Sequence, residues 1–269
     1  MNDLVSIIMP SYNTATYIGL SIKSVLDQTY DNWELLVVDD CSTDNTDEVV
    51  QSFLTDDRIR YLKNDSNSGA AVSRNRALRE AKGKWIAFLD SDDLWLPDKL
   101  EKQIKYMIDN HYHFSYTNYC EIDESGEKLG VIVTGPRRIT RSGFFNYCWP
   151  GCLTVMYDAE ISESVIQIED IKKNNDYAMW LKVSQFCDCY LFPKTMAFYR
   201  RRDGSISNHN YLSLIKWHYR LFREAEKEPR MLALINTGRN LVFGVIKKIV
   251  FITRNMPDKR RDYKNENKI

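Results

Sequence analysis

Residues 83–100 read GKWIAFLDSDDLWLPDKL, and three parts of that stretch decide the fold. Trp85 to Leu89 is a short apolar run of the kind that forms a strand buried on both faces. Gly83 ahead of it suits the end of a preceding helix, and Pro97 behind it opens a helix predicted over residues 98–109. Between strand and helix stand three carboxylates within four residues, Asp90, Asp92 and Asp93. Bare anions are too costly to bury, so such a cluster is best neutralised by a divalent cation, and oxygen ligands suit Mg²⁺ or Mn²⁺. Acidic loops and helix N-caps also contain an Asp-x-Asp pattern. Position favours the ligand site, because open α/β sheets hold their ligands beyond the carboxyl ends of the strands.

The same alternation extends upstream. Val5 to Met9 (VSIIM) reads as a strand that ends at Pro10 and gives way to Ser11, Tyr12 and Asn13, residues suited to a loop that begins a helix. Ile18, Ile22, Val25 and Leu26 then recur at helical spacing within residues 17–28, and Trp33 to Val38 (WELLVV) is a second buried strand. Capping residues from Asp39 to Asp44 precede a helix over residues 46–53, and Ile59 to Lys63 is a third strand. Asn67, Ser68 and Gly69 break the chain before a helix over residues 70–81. Alternating strands and helices predict a mainly parallel sheet with helices on both faces over residues 1–110. After that the pattern changes. Residues 114–122 and 129–133 flank a turn at Asp123 to Gly126 and read as a hairpin, residues 144–157 are rich in aromatics and Cys, and residues 177–186 are helical. Cys189 to Arg200 reads as a strand entering a basic loop, and the chain from Tyr211 reads as helical to its end. The expected organisation is residues 1–110, 111–210 and 211–269, the last a basic helical tail.

Composition narrows the function. With 269 residues, 43% hydrophobic and 28% charged, the chain is long enough for a core that needs neither disulfides nor a structural metal. Lys+Arg and Asp+Glu are both 37, so no global basic character points to nucleic acid. The six cysteines form no CxxC pair, and the N-terminus lacks the zones of a signal peptide, which leads to the expectation of a cytoplasmic protein. Residues 234–252 carry apolar side chains at helical spacing, but Lys247 and Lys248 interrupt them too early for a bilayer span. From Arg230 to the end there are ten basic and three acidic residues. A basic amphipathic tail of this kind predicts reversible attachment to an anionic membrane surface, on the inner face of the cell membrane.

Four segments taken together, VSIIMPSYN at 5–13, WELLVVDDCSTDNT at 33–46, NSGAAVSRN at 67–75 and GKWIAFLDSDDLWLPDKL at 83–100, resemble the family 2 glycosyltransferases, over about residues 4 to 210. The resemblance implies an α/β fold of the GT-A type: a Rossmann-like nucleotide-binding mixed sheet flanked by helices, an acceptor-binding second half, and C-terminal helices. It implies a UDP-sugar donor, with Pro10, Tyr12 and Asn13 lining the nucleotide pocket and Asp40 accepting the uracil imide N–H. Asp39 is the alternative, since alternating side chains let only one of the two face the base. Arg74 in SRN would complement a diphosphate or hold the acidic loop. Asp90 and Ser91 become neighbours of the ribose and diphosphate, and Asp92 the principal ligand of a Mn²⁺ or Mg²⁺ ion that offsets charge on the departing UDP.

The second half extends the resemblance. KKNNDYAMWLK at 172–182 matches the family's acidic motif and puts Asp176 in the position of the catalytic base. Asn175 stands where relatives more often have Glu, so Asp176 acts alone and its pKa should be lower than in a paired site. FYRRRDGSIS at 198–207 resembles the family's Tyr-Arg-x-His-x-x-Ser-x-Ser loop, with Arg202 in the His position and Arg200, Arg201 and Arg202 offered to the diphosphate. Family position puts Trp149, and Trp180 in the acidic motif, near the acceptor, where an aromatic face stacks on a sugar ring. The implied activity is that of an inverting, metal-dependent transferase. It moves a hexose, galactose or glucose, from a UDP-sugar to a hydroxyl of a lipid-linked saccharide, a GlcNAc-diphosphate-lipid of bacterial O-antigen synthesis. Two alternatives stay open. Asn175 and Arg202 would suit a nucleotide-sugar-binding protein whose chemistry is lost, and paired carboxylates would suit a nucleotidyltransferase, although no P-loop is present.

Overall fold

The four apolar runs beginning at Val5, Trp33, Ile59 and Trp85 pair side by side as parallel strands. They are β1 (Val5–Ser11), β2 (Trp33–Asp39), β3 (Ile59–Lys63) and β4 (Trp85–Phe88), in the spatial order β3-β2-β1-β4. The computed structural model describes residues 2–202 and 211–254. Parallel neighbours need crossovers, supplied by α1 (Ala15–Leu26), α2 (Thr46–Gln51) and α3 (Ala70–Glu80). Successive residues of β1 enter opposite cores: Ile8 joins Leu36, Val38 and Phe88 on one face, Ile7 and Met9 join Leu35 and Val37 on the other.

The expected strand end at Pro10 is one residue early, since β1 continues to Ser11. The Ile8 carbonyl accepts Leu89 N–H from the β4 side, and the Ser11 carbonyl accepts Asp40 N–H from the β2 side. Pro10 therefore turns its missing donor toward β4, which has already ended at Phe88, and no ladder bond is lost. Gly83 is also more than a helix stop: a Cβ there would lie 2.5 Å from the Ser6 backbone nitrogen.

Beyond β4 come β5 (Leu94–Trp95), α4 (Lys99–Asp109), β6 (Phe114–Ile122), β7 (Lys128–Val133), β8 (Arg138–Ile139), α5 (Arg141–Asn146), β9 (Met156–Asp158), α6 (Asn175–Val183) and β10 (Cys189–Arg200). The expected hairpin is β6 with β7. The short β9 inserts antiparallel between β4 and β6, pairing Met156 with both Ala87 and Ser115. On its other edge β6 is joined in parallel by β10, with register slips between Phe192 and Ala197, so one mixed sheet runs through both halves. The tail departs from the expected continuous helix. α7 (Tyr211–Arg220) passes into a π-helical turn at Leu221–Ala225, then α8 (Arg230–Val250), and β11 (Ile252–Arg254) ends by pairing with β7. Residues 203–207 of the basic loop and the last five Lys and Arg of the tail lie outside the described residues.

Candidate active site

The acidic turn hangs between β4 and β5, and β10 fastens β5 by pairing Ala197 with Trp95. Asp93 N–H donates to the Asp90 carbonyl at 3.0 Å and closes the turn. Each carboxylate then meets a different partner. Asp90 accepts Nη2 of Arg74 at 2.5 Å, and Asp92 pairs with Nε of Arg202 at 2.7 Å. Asp93 is buried and accepts the Arg200 backbone N–H at 2.8 Å. Burial, then the neighbouring Asp92 and Asp90, pushes the Asp93 carboxyl well above the usual carboxylate range. The Asp92 carboxyl is raised by burial and by Asp90, with Arg202 pulling the other way. Ser91 is buried and takes a hydrogen bond from Thr14 Oγ1 at 3.1 Å, so its hydroxyl ties the turn to the start of α1.

Arg74 joins motifs far apart in the chain. Its buried guanidinium donates through Nη2 to Asp90 and through Nη1 to Asn175 Oδ1 at 2.9 Å, across 101 residues of sequence. This brings the first turn of α6, and with it Asp176, to the acidic turn. Asn175 therefore has a function of its own: its side-chain carbonyl is an acceptor for Arg74. Asp176 is partly accessible at the surface, yet its surroundings raise its carboxyl pKa: burial first, opposed by Arg74, with Asp90 adding to the rise. The Asn at 175 removes one like charge, but burial moves Asp176 upward all the same.

On the opposite side of the sheet end both Asp39 and Asp40 are engaged. Asp39 accepts Ser42 N–H at 3.2 Å and the Ser42 hydroxyl, which shapes the loop before α2. Asp40 accepts the N–H groups of Ser68 at 3.0 Å and Gly69 at 2.7 Å and Asn64 Nδ2 at 2.8 Å, which fixes the entry to α3. Both residues are buried. Pro10 is buried beneath them, whereas Tyr12 is exposed at the rim. Asn13, in the left-handed region at φ 50°, accepts Thr43 N–H at 2.8 Å and joins the two loops. Sequence reasoning missed Thr14, Asn64 and Asn75. Asn75 binds Ile168 through both its backbone groups, at 2.7 and 2.6 Å, so consecutive residues of SRN hold the acidic turn and the segment before α6. The adjacency of Arg74 and Asn75 on a helix, pointing about 100° apart, was the available signal.

Three expected site residues are placed elsewhere. Arg200 is buried, and its guanidinium donates to the carbonyls of Asp92 at 2.9 Å, Asp123 at 3.0 Å and Glu124 at 2.9 Å. These three carbonyls take Nε and Nη1, and Nη2 is buried with no partner among the described residues, so Arg200 clamps the acidic turn to the hairpin turn and exposes no fork at the surface. Trp149 is core as well: its indole N–H goes to the Gly143 carbonyl at 3.2 Å and its ring meets Tyr147, Phe243 and Phe251. Trp180 is fully buried against Phe88 and Phe114. Neither indole offers a face to a sugar. Arg201 pairs with Glu121 at 2.5 Å, and Arg202 is the member of the triplet whose side chain pairs with a carboxylate of the acidic turn.

Arg74 and Arg202 thus supply countercharge where the sequence suggested a cation. Among the described residues no three His, Cys, Asp or Glu side chains converge into a closed metal cage. Asp90 and Asp92 on a single turn are hard oxygen ligands of the type that a Mg²⁺ or Mn²⁺ ion would take together with substrate phosphates.

The sequence profile described as Glycosyl transferase family 2 matches residues 6–150. WfgD of Escherichia coli, a UDP-Glc:α-D-GlcNAc-diphosphoundecaprenol β-1,3-glucosyltransferase, is 41% identical over 273 aligned residues, covering 100% of both chains. Among solved structures, S. aureus TarS 1–349 in complex with UDP-GlcNAc shares the fold with a TM-score of 0.71 at 20% identity, over 89% of this chain and 73% of that one. The mannosyltransferase PcManGT from Pyrobaculum calidifontis, in complex with GDP-Man and Mn²⁺, has a TM-score of 0.62 at 19% identity, over 90% and 75% of the two chains.

Proposed function

Because the chain belongs to glycosyl transferase family 2, we propose that it transfers a hexose, glucose foremost, from a UDP-sugar to a hydroxyl of a GlcNAc-diphosphate-lipid with inversion at the anomeric carbon. Full-length likeness to a β-1,3-glucosyltransferase of that specificity supports glucose over galactose. The setting is the assembly of a bacterial surface polysaccharide such as O-antigen, at the inner face of the cell membrane.

The carrying observation is the pair of hydrogen bonds from Arg74 to Asp90 and to Asn175, which ties the acidic turn to the first turn of α6, where Asp176 stands. Asp176 accepts the proton of the acceptor hydroxyl as that oxygen bonds to the anomeric carbon, and the bond from that carbon to the UDP oxygen breaks with its electron pair leaving on UDP. A raised pKa serves this step, since a base is most effective when its pKa approaches the working pH. Arg74 offsets the repulsion between Asp90 and Asp176 and stands beside the departing diphosphate. A divalent cation held by Asp92, with Asp90, would neutralise charge on that diphosphate. Pro10, Tyr12, Asn13 and Asp40 frame the nucleotide, with Asp40 acting through the Ser68–Gly69 loop it fixes.

Transfer from UDP-Glc, UDP-Gal, UDP-GlcNAc and GDP-mannose to a GlcNAc-diphosphate-lipid analogue, with product linkage read by NMR, tests the substrate assignment. Asp176→Asn should lower kcat by about 10² to 10⁴ while UDP affinity by calorimetry stays within a few-fold. Near-normal kcat in Asp176→Asn would remove the base from this mechanism.

A further inference from the structure

Helix α8 is amphipathic inside out. Its inner face is polar: Asn236, Thr237 and Asn240 are buried with Ala233. Asn240 Nδ2 donates to the Tyr177 hydroxyl at 2.7 Å, Asn236 Nδ2 to the Glu228 carboxylate at 2.9 Å, and Lys247 Nζ to the Trp149 carbonyl at 2.9 Å. The outer face is apolar, with Met231 71%, Val242 59% and Ile249 76% exposed, and with Leu234, Ile235 and Val245 exposed beside them. At about 100° per residue these six side chains occupy an arc of roughly 100°, with Arg230 and Lys248 along one edge and Arg239 along the other. A helix that merely covers a water-soluble domain has the reverse arrangement. An apolar row along most of a 21-residue helix is a contiguous patch, which marks an interaction surface.

We propose that α8 is an interfacial helix whose outer row rests in the headgroup–acyl boundary of an anionic membrane, with Arg230 and Lys248 on lipid phosphates. No described helix is long and apolar enough to cross a membrane, and this row lies in its plane. Charge selects lipid over a second copy of the chain. Arg230, Arg239 and Lys248 border the outer row and residues 230–254 contain no Asp or Glu, so a symmetric pair through this face sets cations against cations, whereas an anionic surface complements them. The inner face gives the contact a consequence that rests on the glycosyl-transfer reading. Asn240 holds Tyr177, the residue after Asp176, so the proposed base sits at a fixed height above the bilayer and serves acceptors whose sugar lies close to the lipid surface.

The test uses the full chain and the quadruple variant Met231→Ser, Ile235→Ser, Val242→Ser, Ile249→Ser. Each is sedimented with vesicles of phosphatidylcholine plus phosphatidylglycerol and with vesicles of phosphatidylcholine alone. The parent chain should sediment with the anionic vesicles and release as salt rises, and the variant should partition at least ~10-fold more weakly with an unchanged thermal melt. Equal sedimentation of the two proteins, or failure of the parent to sediment, overturns the proposal. So does light scattering that shows a lipid-free dimer of the parent that the variant loses. Activity adds a second arm: turnover of a soluble short-chain acceptor should be alike in both proteins, and turnover of a vesicle-borne long-chain acceptor should fall in the variant. Loss of all transfer in both proteins would sink the glycosyl-transfer reading and leave the sedimentation result standing.

Discussion

Helices α4 and α8 each carry an apolar row and use it in opposite directions. In α4, Leu100, Ile104 and Met107 enter the core and Glu101, Lys102 and Asp109 face water. In α8, Met231, Val242 and Ile249 face out and Asn236, Thr237 and Asn240 face in. The surface beneath each helix accounts for the difference. α4 lies over apolar side chains of the sheet, whereas α8 lies over a phenol and the main-chain carbonyls of Phe145, Cys148 and Trp149, which require donors. Periodicity reports that a helix has two faces; the partner surface selects which one is buried.

Truncating each row separates the two helices most widely. Ile104→Ala should cost about 2 to 5 kcal/mol in a urea titration, and Ile249→Ala should stay within about 0.5 kcal/mol. A comparable loss from Ile249→Ala would show that the outer row packs on protein.

Two inward-pointing lysines, Lys99 buried and Lys247 half-buried, sharpen the contrast. Lys247 donates to main-chain carbonyls, whereas Lys99, fully buried, has Gln103 Oε1 at 2.9 Å and the Trp95 ring at 4.1 Å. Burial lowers the Lys99 pKa from 10.5 to about 7. Between those values the unfolded chain holds a proton that the folded chain lacks, so this contribution to stability is complete above pH 10.5 and is lost as pH falls toward 7. From pH 7 to 9 the parent should gain about 2 kcal/mol from this group, and Lys99→Met should remove that slope. An unchanged slope in Lys99→Met would mean that the amine is already charged in the folded protein. A more modest loss is expected at the inner face of α8: Asn240→Leu should cost about 1 to 2 kcal/mol, because the Tyr177 hydroxyl loses a buried donor. A stabilised Asn240→Leu would mean that the polar inner face is incidental.

The first half of the fold was legible because its strands are apolar runs closed by turn residues, and local pattern suffices for βαβ units. That Arg74, Asp90, Asp92 and Asp176 belong to one site was implied by the family resemblance of the motifs that carry them. Arg200, Trp149 and Trp180 could not be placed, because side-chain chemistry states what a residue can bind and not which partner lies in reach. Arg200 is taken up by carbonyls of the turn at Asp123 and Glu124, and both indoles by a core that only the folded second half creates. Strands such as β9 and β11 are three residues long and pair with distant segments, so nothing in their own sequence marks them.

The insertion of β9 between β4 and β6 constrains the order of assembly. A chain leaving the ribosome can complete β1 to β4 early, but the outer edge of β4 stays open until Met156–Asp158 has been made. That edge presents unpaired N–H and C=O groups, a template for pairing with another nascent chain. Closure also needs the segment running from α4 through α5 to be in place, since the three-residue strand pairs with β4 on one side and with β6 on the other. A fragment ending at residue 110 would therefore be an aggregating half-sheet, because the final pair of hydrogen-bonding partners for its β4 edge is encoded in the other half of the chain.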